Sequence, residues 1–134
     1  MNVAICGPSE DIDEEYVYSI LRFMTVVLGF DTEDLHKDRF MELGEGNATA
    51  DYAVKWSKNA GYEFLTFRAD VARYGASAHK RRNERLFQIG VDCVIWIMTP
   101  HNEEAANVVH EALIRDIPIN EFNGTNLVYE NLKK

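Results

Sequence analysis

Lys80, Arg81, Arg82 and Arg85 fall within six residues of one another in a 134-residue chain whose formal net charge is -8. The segment that carries them, Ser77 to Ile89, reads as a helix. Its cations sit near the helix start, where the macrodipole is itself positive. A fold gains little from that arrangement alone. A bound anion such as a phosphate relieves both the mutual repulsion and the clash with the dipole. Arg82 is the natural clamp for such a group, with Asn83 bonding a hydroxyl or a base edge. The plainer alternative pairs Arg82 with Glu84 and makes Asn83 a loop cap. Helical spacing puts Arg81 and Arg82 each beside Arg85.

A second set of candidates lies in turns. Gly7 and Ser9 follow an apolar run, and Gly46, Asn47, Thr49 and Asp51 occupy a glycine-bearing loop. Glycine lets the chain turn and lets backbone N–H groups approach an anion. Asp51 either accepts a ribose hydroxyl or simply favours the dipole of the helix it opens. Asn47 and Thr49 either cap that helix or face a ligand. Tyr74, beside Gly75, offers a ring for stacking on a base. Trp96 lies in an apolar strand and reads as core. Glu103 and Asp51 are the carboxylates available for chemistry at an anomeric carbon, although Glu103 and Glu104 also suit a helix start. His79 and His101 could move protons, but no nucleophile accompanies them in a recognisable motif. His36, His79, His101 and His110 lack zinc-ligand spacing. Neither a metal nor a cofactor is expected.

The elements that must position these residues alternate along the chain. Val3–Cys6, Phe40–Leu43, Glu63–Arg68 and Val91–Met98 read as strands, with a further short strand starting at Pro118. Between them lie a helix with Val17, Ile20, Leu21, Met24, Val27 and Leu28 on one face, started by a capping box at Asp11 and Glu14 and stopped near Gly29. A second helix carries Ala53, Trp56 and Ala60. The basic helix follows, and then one from Glu103 to Arg115. The continuous apolar run Val91–Met98 predicts a central strand covered on both faces. Strand–helix alternation predicts an α/β fold: a doubly wound, mainly parallel open sheet of the Rossmann-like kind, with helices on both faces. Residues 1–122 form a single domain, and residues 123–134 form a tail or an edge strand at Leu127 to Tyr129. In such sheets ligands bind beyond the carboxyl ends of the strands, where the candidate loops all fall.

Composition is that of an ordinary globular domain, 46% hydrophobic and 27% charged. No apolar run approaches the ~20 residues that span a bilayer. The first residues read as a strand rather than a leader. Cys6 and Cys93, each inside an apolar run, read as buried free thiols, which suits a cytoplasmic location. The acidic balance argues against general binding to nucleic-acid backbone. Acidic clusters at Glu10 to Glu15 and Asp31 to Asp38 read as solvated loops or helix starts. Val108, Val109 and Leu113 suggest an apolar helix face in excess of what a sheet covers, and hence a homodimer.

Four segments, in order, resemble the SLOG superfamily, specifically its small YspA-like branch. Cys6-Gly7-Pro8-Ser9 is similar to the family's first loop. Gly46-Asn-Ala-Thr-Ala-Asp51, with Ala53 and Trp56, is similar to its second. Tyr74-Gly75, Ala78, Arg82-Asn83 and Leu86 match its third segment, and Val91-Asp-Cys-Val-Ile95 its fourth. The resemblance spans about residues 1 to 120. Pro8 stands where the family has arginine, and Thr49 where a glycine is usual. The fourth loop, Thr99-Pro-His-Asn-Glu-Glu104, lacks the glycine-rich run that carries phosphate contacts in Lonely-Guy-type phosphoribohydrolases. The resemblance implies binding, sensing or cleavage of nucleotides and their derivatives, including ADP-ribose-like signals, in bacteria or phages.

The function expected on these grounds is binding of a phosphate-bearing nucleotide or nucleotide derivative. The ligand set comprises Gly7, Ser9, Gly46, Asn47, Asp51, Tyr74, Arg82, Asn83 and Arg85. The partner is thus a nucleotide-type small molecule, with no membrane role. Two alternatives stand beside it. One is N-glycosidic hydrolysis or transfer through Glu103 or Asp51. The other is a protein-interaction module with a degenerate pocket.

Overall fold

The structure is a computed structural model that describes residues 1–31, 33, 37–44, 47–98 and 103–123, with backbone only at 103 and 104. The strands are β1 (Asn2–Cys6), β2 (Arg39–Glu42), β3 (Glu63–Thr66), β4 (Cys93–Met98) and β5 (Ile119–Asn123). They form one sheet in the order β3-β2-β1-β4-β5, and every neighbouring pair is parallel. The helices are α1 (Glu14–Val27), α2 (Ala48–Ala60), α3 (Val71–Tyr74), α4 (Ala78–Ile89) and α5 (Glu103–Ile114). This is a doubly wound α/β sheet of the Rossmann-like kind. Strand order reverses between β1 and β4, the place where such sheets leave a crevice at their carboxyl edge.

Period-2 alternation sorts the strands' side chains onto two faces. Val3, Ile5, Phe40, Ile95 and Ile97 meet α1 and α2 through Val17, Leu21, Met24 and Ala53. Ala4, Cys6, Met41 and Val94 meet α4 and α5 through Leu86, Phe87, Val108 and Ala112. Both faces of the central strands are therefore apolar, as the run in β4 predicts. Trp96 belongs to the second face, half-buried, and packs there as core.

Several local expectations are corrected. The N-cap of α1 is Asp13, not Asp11: its carboxylate accepts from the Tyr16 N–H at 3.0 Å. Asp11 instead takes a positive φ of 57° in the preceding turn. Val27 and Ala60 are exposed: the core stripe of α1 passes from Met24 to the half-buried Leu28, and that of α2 ends at Ser57. Val108 and Val109 are buried in the second core, so they offer no free face for a partner. Only Leu113 of that trio stays exposed. The sheet's last strand runs from Ile119 to Asn123, and Leu127 to Tyr129 lies outside the described residues. The short helix α3 and the 3-10 turn Gly75–Ser77 that joins it to α4 were not expected.

Candidate functional site

Beyond the carboxyl ends of β2 and β3, arginines from two segments converge. Arg68 follows β3, and Arg81, Arg82 and Arg85 come from α4. Together with Asp70, Tyr74, Ala78, Glu84 and Gln88 they line a cleft of about 190 Å³. Arg82 is 3% exposed. Its Nε donates to Asn83 Oδ1 at 3.1 Å, and its Nη1 to the Leu43 carbonyl at 3.3 Å. The guanidinium is thereby tied to the end of β2. Arg81 lies over the Tyr74 ring, 4.5 Å from its centroid, and Arg85 lies 5.8 Å from that of Phe67. Arg73 also reaches the Tyr74 ring, at 5.1 Å. Such stacking orients a planar cation without consuming its N–H fork.

Local sequence explains the placement. Gly44 has φ +90°, and a Cβ there would meet Arg68 Cγ at 2.9 Å. Glycine therefore both permits the left-handed turn after β2 and leaves room for the Arg68 stem. Asp70 caps α3 by accepting from the Arg73 N–H. No side-chain bond caps α4, whose first turn contains no acidic residue. The cations at the start of α4 thus stand as expected, with no local carboxylate in that turn.

The α2 side of the same edge is built differently. The Ala48 N–H donates to the Ser9 carbonyl at 2.8 Å, the Thr49 N–H to the Pro8 carbonyl at 3.3 Å, and the Ala50 N–H to Asn47 Oδ1 at 3.0 Å. Thr49 Oγ1 adds a bond to the Pro8 carbonyl at 2.8 Å. The first amides of the helix are thus spent on the loop that carries Gly7 and Ser9. A Cβ on Gly7 would lie 2.8 Å from Thr49 Oγ1 and 3.0 Å from Ile97 Cβ. The glycine allows α2 to press against the end of β1. Asp51, in the first turn, is exposed.

The sequence candidates therefore divide. Tyr74, Arg82 and Arg85 share the arginine cleft. Gly7, Ser9, Asn47 and Asp51 group around the α2 N-terminus, on the other face of the sheet edge. Asn83 is joined to Arg82 but lines a separate cleft between α4 and α5. Gly46, Thr99 to Asn102, His36 and the side chain of Glu103 lie outside the described residues.

Two residues were given no role of their own in the sequence reading. Arg68, which opens the candidate segment after β3, lines the cleft. The other is Glu42, which is 0% exposed at the end of β2. Neither of its carboxyl oxygens has a hydrogen-bond partner, and burial pushes its pKa up to about 9. It shares the α2 face with Phe40. A lone acid in the run Phe-Met-Glu-Leu, in a strand apolar on both faces, was the available sign. Asn47 Nδ2 and Asn83 Nδ2 are likewise buried without a partner. Buried polar atoms left unpaired cost about 1–3 kcal/mol each, and all three residues stand near the carboxyl edge of the sheet.

No thiol is poised as a nucleophile: burial pushes Cys6 up to about 12, and burial with the Asp92 charge pushes Cys93 up to about 11. Among the described residues no cluster of His, Cys, Asp or Glu could hold a metal ion, and no helix is long and apolar enough to cross a membrane. No family model matches the chain, and no curated protein matches it.

Proposed function

We propose that this protein binds a phosphate-bearing nucleotide or nucleotide derivative, as a sensing or sequestering module, with the anion in the arginine cleft. The observation that supports the reading most is the convergence of Arg68, Arg81, Arg82 and Arg85 on one concavity in a chain of net charge -8. Guanidinium groups gathered on one concavity repel one another, and an anionic ligand between them relieves that repulsion. The resemblance to the SLOG superfamily points the same way.

Size narrows the reading. Pockets for drug-sized ligands are roughly 300–1,000 Å³, whereas this cleft is about 190 Å³. It suits a phosphate or diphosphate, with sugar and base resting outside, toward Tyr74. Because the first amides of α2 are internally bonded, the work of holding the anion falls to guanidinium groups rather than to a helix N-terminus. Arg82 is the fixed member, and Arg81 and Arg85 are exposed and able to close on a ligand.

The test is thermal stabilisation by AMP, ADP and ADP-ribose. At least one is expected to raise the melting temperature, and higher salt should weaken the effect. Arg82→Ala should abolish the shift. Because Arg82 is buried and its loss could perturb folding, the exposed Arg81→Ala and Arg85→Ala variants provide the cleaner readout, each weakening binding roughly tenfold. Stabilisation that survives both exposed substitutions unchanged would overturn the assignment. Native mass spectrometry of freshly purified protein would identify a retained ligand directly.

A further inference from the structure

We infer that the cleft between α4 and α5 is a second, separate binding site, for a ligand that presents a carboxylate or phosphate group. Lys80, Asn83, Asn107, His110 and Glu111 line it, and its volume is about 340 Å³. On α4, Lys80 and Asn83 lie on the flank opposite Arg81, Arg82 and Arg85 at 100° per residue. The site therefore stands apart from the arginine cleft, and its existence does not depend on what that cleft binds.

Asn83 carries the argument. It is 2% exposed, and its Oδ1 accepts from Arg82 Nε at 3.1 Å. A guanidinium only donates, so the oxygen of the amide must face Arg82. The Nδ2 group is then turned away from Arg82, and it is buried with no acceptor. An amide N–H₂ held in a fixed orientation and left unsatisfied costs stability unless something accepts from it. The wall around it is rich in donors. Lys80 brings an ammonium, Asn107 an amide, and His110 a ring N–H. The one carboxylate, Glu111, is engaged by Arg115 through an i, i+4 ion pair. Even with Asn107 Oδ1 and Glu111 Oε1 counted as acceptors, the N–H groups of Lys80, Asn83, Asn107 and His110 are in the majority, which favours a ligand that brings anionic oxygens.

The test is an NMR titration of the wild-type protein with inorganic phosphate and, separately, with acetate. At least one anion is expected to shift the Asn83 side-chain amide signals and the Asn107 backbone signal saturably, and the stronger of the two arms names the anion class. Lys80→Ala, at an exposed position, should weaken binding by about fivefold or more. Asn83→Asp keeps an acceptor for Arg82 but replaces the free donor with negative charge, and should remove the saturable response. Arg81→Ala, in the other cleft, should leave it intact. Asn83 and Asn107 signals that stay still with both anions, or an affinity unchanged in both Lys80→Ala and Asn83→Asp, would overturn the inference. Loss of nucleotide binding in Arg81→Ala with this response retained would separate the two sites.

Discussion

The α2 and α4 crossovers reach the same edge of one sheet, and they end there in opposite ways. The α2 start is closed. The Ser9 and Pro8 carbonyls take its first two amides, the Asn47 side chain takes the third, and Gly7 leaves just enough room for Thr49 to pack. The start of α4 has no side-chain cap and carries Lys80 and Arg81 in its first turn. A helix N-terminus is attractive to anions because of unsatisfied N–H groups. Here the terminus with the helpful loop has satisfied them already, and the other instead gathers cationic side chains at a cleft. The comparison teaches that a glycine-bearing loop before a helix does not by itself mark a phosphate cradle. What matters is where the N–H groups already point.

The strongest way to probe the closed side is through Glu42. Its folded pKa, raised to about 9 by burial, lies above the ordinary carboxyl value in the unfolded chain. The folded state therefore holds a proton that the unfolded state has released. That contribution to stability is fully present below about pH 4 and is lost progressively as pH rises through about 9. It spans several kcal/mol. Wild-type melting temperature should fall from mildly acidic to alkaline pH, and Glu42→Gln should flatten that fall and melt higher than wild type near pH 9. Denaturation followed at several pH values decides it. Equal slopes in the two proteins would mean that the carboxyl is ionised and solvated, and the closed side would not be closed.

The next effect concerns the contact between β1 and α2. Gly7→Ala puts a methyl 2.8 Å from Thr49 Oγ1 and 3.0 Å from Ile97 Cβ. Overpacking of this kind costs about 1–3 kcal/mol. Replacing Thr49 with alanine as well removes the nearer clash, at the loss of the Pro8 bond. The double variant should therefore be less destabilised than the sum of the two single changes. Urea denaturation of all four proteins measures the coupling, and strict additivity would show that Gly7 serves a purpose other than close packing.

Much of the fold was legible because strand–helix alternation and the uninterrupted apolar run in β4 allow few architectures. Elements failed where the signal was short or ambiguous. The four-residue α3 is too brief to show periodicity, and where acids crowd the start of α1 the capping-box spacing pointed to Asp11, whereas the carboxylate that bonds is that of Asp13. The site was legible in its charge and illegible in its partition. Arg82 stood out as a cation in an acidic chain. That Asn83, its neighbour, faces another helix depends on the packing of α5, and that Gly7 makes room for Thr49 depends on contacts remote in sequence. Glu42 was hidden because one acid in a short strand commonly marks an exposed edge, and only the order β3-β2-β1 makes β2 interior.

The smallest effect compares the two helix starts directly. Asn47→Ala deletes the oxygen that accepts from the Ala50 N–H, and losing an N-cap costs about 0.5–2 kcal/mol. The same substitution also removes Nδ2, a buried donor without a partner, which returns part of that cost. A net loss near 1 kcal/mol is expected. Ser77→Ala at the start of α4 removes no cap bond, only exposed contacts with the Tyr74 carbonyl and Arg81 Nε, and should stay within about 0.5 kcal/mol. If the two variants lost equal stability, the α4 terminus would depend on its cap residue as much as α2 does. The contrast between a closed and an open helix start would then fail. If the expected difference appears, adding AMP or ADP sharpens it. Ligand stabilisation should persist in Asn47→Ala, because the proposed anion site is made of arginines on the other face rather than of the amides that Asn47 orders.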